Sequence, residues 1–156
     1  KNLEHLQGAQ GTVIAFICNH CPFVIHINQA LVNTANLYQE KGINFIAISS
    51  NDIEKYPQDS PEKMKLHALD TGYSFPYLYD ETQEVALAWG AKRTPEFYLL
   101  NGEGEVVYRG RLDNSPRNAM EATTRDLADA MDSLSMGELP PVNRTESIGC
   151  SVKWKL

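Results

Sequence analysis

Residues 18 to 22 read CNHCP, placing Cys18 and Cys21 one helical turn apart directly behind the apolar run TVIAFI at residues 12–17. A residue just past a strand, at the first turn of a helix, faces backbone N–H groups that have no partner. The helix macrodipole adds roughly half a positive charge at that end. Both favour an anion, and the thiolate rather than the thiol is the reactive form of cysteine. Cys18 is expected to be the nucleophile, since it should lie nearer the helix N-terminus and be more exposed than Cys21. Cys21 is close enough for the two sulfurs to bond within the turn. Such a pair can attack a disulfide, form a mixed disulfide and then resolve it.

Two other roles compete with exchange chemistry. C-x-x-C is half of a zinc site, but a structural site usually needs a second pair. The remaining candidates, Cys150, His5, His20, His26 and His67, show no paired spacing. Both cysteines could also be inert core residues. The strand-to-helix setting favours redox chemistry, with no metal and no cofactor expected. Within the motif, Asn19 and His20 are the tuning positions. A protonated His20 would favour a neighbouring thiolate, stabilise the reduced form and make the disulfide more oxidising. The alternative is an exposed turn histidine of little effect. His26 falls on the solvated face of the helix that follows. Cys150 reads first as a buried small hydrophobe that stays a thiol, cysteine being among the most buried residue types.

The elements that must position the pair follow from periodicity. TVIAFI reads as a buried strand. Beyond Pro22, Phe23, Val24, Ile27, Leu31, Ala35 and Tyr38 recur as one helix face, closed by Gly42. INFIAIS (residues 43–49) is a second buried strand, completing a βαβ unit with parallel neighbours and a right-handed crossover. Ser60-Pro61 caps a helix running towards Gly72. FPYLY (residues 75–79) is a weaker strand candidate because of Pro76. Asp80 and Gln83 resemble a capping box for a short helix ending at Gly90. PEFYLL, the turn NGEG and EVVYRGR make a hairpin over residues 95–111. A last helix runs from Ser115-Pro116 to about Met136, stopped by Gly137. The order implies an α/β fold with a central mixed sheet and helices on both faces. The whole chain is expected to be one domain, with a core over about residues 10–136 and a tail, 137–156, docked on it.

Bulk properties exclude several partners. A chain of 156 residues fits one domain with a real core. Its net charge of −6 argues against nucleic acid or an anionic membrane surface as the main partner. No apolar run approaches the roughly 20 residues that span a bilayer. Three cysteines are too few for a disulfide framework in a chain of this length. The sequence opens on Lys1, so a leader peptide and hence the compartment cannot be read from it. A soluble protein of the bacterial cytoplasm or periplasm is the expected setting.

CNHC behind a buried strand, a long helix, Thr94-Pro95 before a hairpin, and a final helix resemble the thioredoxin superfamily. FICNHCPFV, AISSND, PYLYDETQEVA, TPEFYLL, VYRGRLD and IGCSVKWK are more closely similar to the peroxiredoxin-like branch of the alkyl hydroperoxide reductase/thiol-specific antioxidant (AhpC/TSA) family. The resemblance implies a thioredoxin fold with Cys18 as nucleophile and Cys21 as resolving thiol. It also implies a cis Thr94-Pro95 bond beside the disulfide, where base rates alone would favour trans. That would leave the Thr94 backbone free to pair with an extended substrate segment. Arg93 lies near the position of the family arginine, one residue out of register; it is either a substrate or anion contact or a solvated loop charge. Two departures stand out. TVIAFI lacks the buried acid of thioredoxin. Gly11 and Ala15 occupy the places where peroxiredoxins carry Pro and Thr or Ser, so the hydroxyl that would orient a peroxide is missing there.

The expected activity is therefore thiol–disulfide exchange on protein or small-molecule thiols and disulfides, recycled by a thioredoxin-type reductant. The alternative is a thiol peroxidase acting on hydroperoxides. A third possibility is a zinc-binding module without enzymatic activity.

Overall fold

The computed structural model describes residues 10–18, 22–54, 56–73, 75–80, 82–91, 93–112, 126–140, 142–145 and 150–151, of which 22–28, 58 and 150–151 are described by backbone alone. Seven strands, four α-helices and one short 3-10 helix (Pro57–Asp59) lie within these residues. The first half holds β1 (Gly11–Phe16), α1 (Pro22–Gln39), β2 (Ile43–Ser49), α2 (Pro61–Thr71), β3 (Tyr77–Tyr79) and α3 (Glu84–Trp89). Then follow β4 (Arg93–Thr94), β5 (Glu96–Asn101), β6 (Val106–Gly110), α4 (Asp126–Ser135) and β7 (Cys150–Ser151). Five strands form one mixed sheet in the order β3-β2-β1-β5-β6, while β4 and β7 make a separate two-stranded ladder. β1 is central, parallel to β2 on one side and antiparallel to β5 on the other. This is the α/β mixed-sheet arrangement that the element order implied, and the thioredoxin fold that the resemblance implied.

Strand alternation divides the core into two layers. Val13, Ala15 and Ile17 join Phe45, Ala47, Phe97 and Leu99 on one face, under Leu31, Ala35 and Tyr38 of α1 and Leu127, Ala130 and Met131 of α4. Ile14 and Phe16 join Ile46, Ile48, Tyr98 and Leu100 on the other, under Ala86 of α3. A central strand buried on both faces must be apolar at every position. TVIAFI meets that condition nearly throughout, with Thr12 as its one polar residue.

The ends of the helices follow local chemistry. Ser60 Oγ accepts from the Lys63 backbone N–H at the start of α2, with Pro61 behind it, and Gly72 (φ 81°) ends the helix in the left-handed region. The Asp80 carboxylate accepts from the N–H groups of Val85 (3.3 Å) and Ala86 (3.0 Å), so it does cap α3. Gln83 departs from the capping-box role. It sits at φ 65° and donates from Nε2 to the Ser50 carbonyl at 2.6 Å, tying α3 to the end of β2. Pro76 precedes β3 and accepts from the Ala47 N–H, so its missing donor costs the ladder nothing. The described part of the last helix is α4; its expected start at Ser115-Pro116 lies outside the described residues.

Gly11 marks a close approach. A Cβ there would meet the Leu100 carbonyl oxygen at 2.6 Å and Leu134 Cδ2 at 2.7 Å, so β1 and α4 pack at a distance only glycine allows. The tail is held along β6. Arg109 N–H donates to the Asn143 carbonyl (3.1 Å), and Thr145 N–H donates to the Arg109 carbonyl (3.0 Å). Arg111 N–H donates to Thr145 Oγ1 at 3.0 Å, and a side chain on Gly110 would collide with Thr145.

Candidate functional site

Cys18 follows directly on the central strand. The Ile17 N–H donates to the Ile48 carbonyl, which keeps the segment in the sheet up to the cysteine. The described part of the helix that follows begins at Pro22. Cys18 is only 1% exposed. Sequence reasoning expected an exposed sulfur; instead it packs into the core layer with Ile17, and Tyr73 and Tyr77 lie against that layer. Asn19, His20 and Cys21, the rest of the motif, lie outside the described residues.

The second element of the site comes from the far half of the chain. The Thr94-Pro95 bond is cis, as the resemblance implied. Thr94 is buried, and its Oγ1 lies 3.6 Å from Cys18 Sγ, either atom being able to donate. Ala15 supplies no hydroxyl, but Thr94 does. Arg93 is exposed on the same short strand. The Thr94 edge expected to stand open to a substrate carries the chain's own tail: β4 pairs antiparallel with β7, Thr94 opposite Cys150 and Arg93 opposite Ser151.

Beside Cys18 stands a group that sequence reasoning missed. Burial, the larger cause, and the nearby Cys18 charge both hold the Tyr73 hydroxyl well above its ordinary range. Tyr77 is raised by burial first and then by Tyr73, Cys18 and Asp59. Both phenols therefore stay protonated. His67 Nε2 lies 3.1 Å from the Tyr73 hydroxyl. Burial lowers the pKa of His67 from 6.5, against the opposing pull of Asp70 and Asp59. Asp59, fully buried, accepts from Asn51 Nδ2 at 3.0 Å. The available signal was the density of aromatic residues in TGYSFPYLY, which the strand assignment absorbed without assigning a role.

Among the described residues, no group of three or more His, Cys, Asp or Glu side chains has the geometry to hold a metal ion. No helix among them is long and apolar enough to cross a membrane.

Related structures share this framework. An uncharacterised conserved protein of Geobacillus kaustophilus is 52% identical, with a TM-score of 0.93 over 98% of this chain and 82% of its own. A hypothetical protein of Sinorhizobium meliloti 1021 is 38% identical, with a TM-score of 0.92 over 98% of this chain and 84% of its own. More distantly, a secreted disulfide oxidoreductase of Mycobacterium tuberculosis shares the fold at 15% identity, with a TM-score of 0.62 over 88% and 87% of the two chains. No curated protein matches the chain in sequence. The Redoxin family model matches residues 1–127, which include Cys18, Cys21 and the Thr94-Pro95 loop. The framework, the buried Cys18 and this match make thiol-based redox chemistry the activity class, and the chain belongs to the Redoxin family.

Proposed function

We propose that the protein is a thiol–disulfide oxidoreductase that cycles Cys18 and Cys21 between dithiol and disulfide. The Cys18 thiolate attacks a substrate disulfide, forming a mixed disulfide and releasing one thiolate. Cys21 then attacks Cys18 Sγ, the mixed bond breaks, and the second substrate thiol leaves. The substrate gains two electrons and two protons, and the Cys18–Cys21 bond holds the oxidised equivalent until a thioredoxin-type reductant removes it. The observation that carries this reading is the meeting of Cys18 Sγ and Thr94 Oγ1 at 3.6 Å, where the central strand ends against the cis-proline loop. A hydroxyl in that place can donate to the thiolate that attacks or departs. Asn19 and His20 are assigned to tuning the pair. Pro95 and Thr94 shape the substrate side, and Arg93 is assigned to an anionic group of the substrate.

A peroxidase reading draws on the same hydroxyl. Thr94 stands beside Cys18 although Ala15 cannot, so a hydroperoxide oxygen could be oriented there. Cys18 would become a sulfenic acid as the alcohol leaves, and Cys21 would condense with it, releasing water. Insulin-disulfide reduction and hydroperoxide consumption, compared under the same thioredoxin recycling, separate the two. The exchange reading expects the first to dominate and Cys18→Ser to abolish it. Dominant peroxide turnover, or exchange retained in Cys18→Ser, would overturn it.

A further inference from the structure

The third cysteine is brought to the same place by strand register. β7 pairs with β4 so that Cys150 stands directly opposite Thr94. Opposite residues of an antiparallel pair share one face of the ladder, their Cα atoms about 4.5–5.5 Å apart. Thr94 is the residue whose hydroxyl touches the Cys18 sulfur. Cys150 therefore sits one strand spacing from the residue in contact with the nucleophile. A Cys18–Cys150 disulfide needs their own Cα atoms to come within about 7 Å, and the register brings Cys150 alongside the residue that touches Cys18. Sequence reasoning made Cys150 a small core hydrophobe; its register gives it a chemical neighbour.

Burial points the same way. With Cys18 1% exposed, a disulfide arriving from solvent must first open the packing around it. A thiol on a strand paired with Thr94 starts beside the residue that touches the sulfur. The tail is held near this position by the Asn143 and Thr145 hydrogen bonds to Arg109.

We propose that Cys150 is a third redox thiol of the site, exchanging with the Cys18–Cys21 disulfide and carrying its oxidised equivalent onto the tail. This rests on Cys18 and Cys21 being the redox pair. The Cys150 thiolate attacks Cys18 Sγ, the Cys18–Cys150 bond forms, and the Cys18–Cys21 bond breaks. Cys21 leaves as a thiolate and takes up the proton that Cys150 released. One disulfide and one thiol stand on each side of the step, so no outside oxidant or reductant enters.

The test uses the full chain carrying Cys21→Ser, treated with oxidised glutathione, alkylated and mapped by mass spectrometry. A Cys18–Cys150 bridge is expected as the main product, with the Cys18–glutathione adduct decaying at least about tenfold faster than in Cys21→Ser/Cys150→Ser. A lasting adduct on Cys18, with Cys150 alkylated, would overturn the proposal. The unsubstituted protein in glutathione buffers of graded ratio provides a second arm that does not depend on a variant folding. A Cys18–Cys21 bridge accompanied by a Cys18–Cys150 fraction supports the relay. A Cys18–Cys21 bridge with Cys150 fully alkylated at every ratio removes the relay and leaves the redox pair standing. Failure of Cys18 and Cys21 to bridge at all removes both.

Discussion

Thr94 Oγ1 lies 3.6 Å from Cys18 Sγ across 76 residues of sequence. The contact joins the end of the central strand to the residue before the cis proline. Because a hydroxyl can donate to a thiolate, removing it should act on reactivity more than on folding.

Thr94→Val keeps the shape and deletes the oxygen. Alkylation of Cys18 by iodoacetamide is expected to slow, with the midpoint of its pH–rate profile moving upward. The unfolding free energy should change by about 1 kcal/mol or less, the ordinary net worth of one hydrogen bond. An unchanged pH–rate profile would make the contact mere packing.

His20 is assigned to raising the reduction potential. His20→Pro should make the Cys18–Cys21 disulfide harder to reduce, about 30 mV for each roughly 1.4 kcal/mol of lost thiolate stabilisation. Equilibration with glutathione checks this, and a potential unchanged within error leaves His20 a bystander.

His67 supplies a pH dependence whose sign is fixed by burial. Its folded pKa is lowered below 6.5, so the unfolded chain takes up the proton first as pH falls. The associated stability is complete above 6.5 and is lost as pH drops from there through the folded pKa. His67→Gln, which keeps a hydrogen-bonding group for Tyr73, should flatten the fall in urea midpoint between about pH 7 and 5 relative to the unsubstituted protein. Parallel curves for the two proteins would rule the assignment out.

Gly11→Ala tests the close approach of β1 and α4. Leu134 Cδ2, at the end of a flexible side chain, can yield, but the Leu100 carbonyl oxygen at 2.6 Å belongs to the adjoining strand. A loss of about 1–3 kcal/mol in urea unfolding is expected, the usual cost of overpacking a core. A neutral result would mean that the strand shifts freely at its start.

Legibility followed the range of the interactions. The strands TVIAFI and INFIAIS, the helix between them and the Ser60-Pro61 cap are set by local periodicity and local hydrogen bonds, and each was readable. Asp80 was readable as a cap for the same reason. Gln83 was not, because its partner is the Ser50 carbonyl on another element. The burial of Cys18 and the tyrosines beside it depend on how α2 and β3 pack against β1 and β2, which no short window of sequence contains. Least legible was the pairing of Arg93-Thr94 with Cys150-Ser151, two residues on each side separated by more than fifty positions. Nothing in IGCSVKWKL names its partner strand.

The two halves of the site also differ in how firmly they are held. β1 is hydrogen-bonded along both edges, with six paired positions to β2 and six to β5, so its amides should be among the slowest to exchange with deuterated solvent. The β4–β7 ladder has two paired positions. A ladder that short opens by small local fluctuations, far below the cost of global unfolding. Cys18 is thus anchored at the end of a strand paired along both edges, while the segment facing Thr94 belongs to a pairing of only two positions. Fraying of the tail would admit a substrate to a buried sulfur without disturbing the strand that carries it.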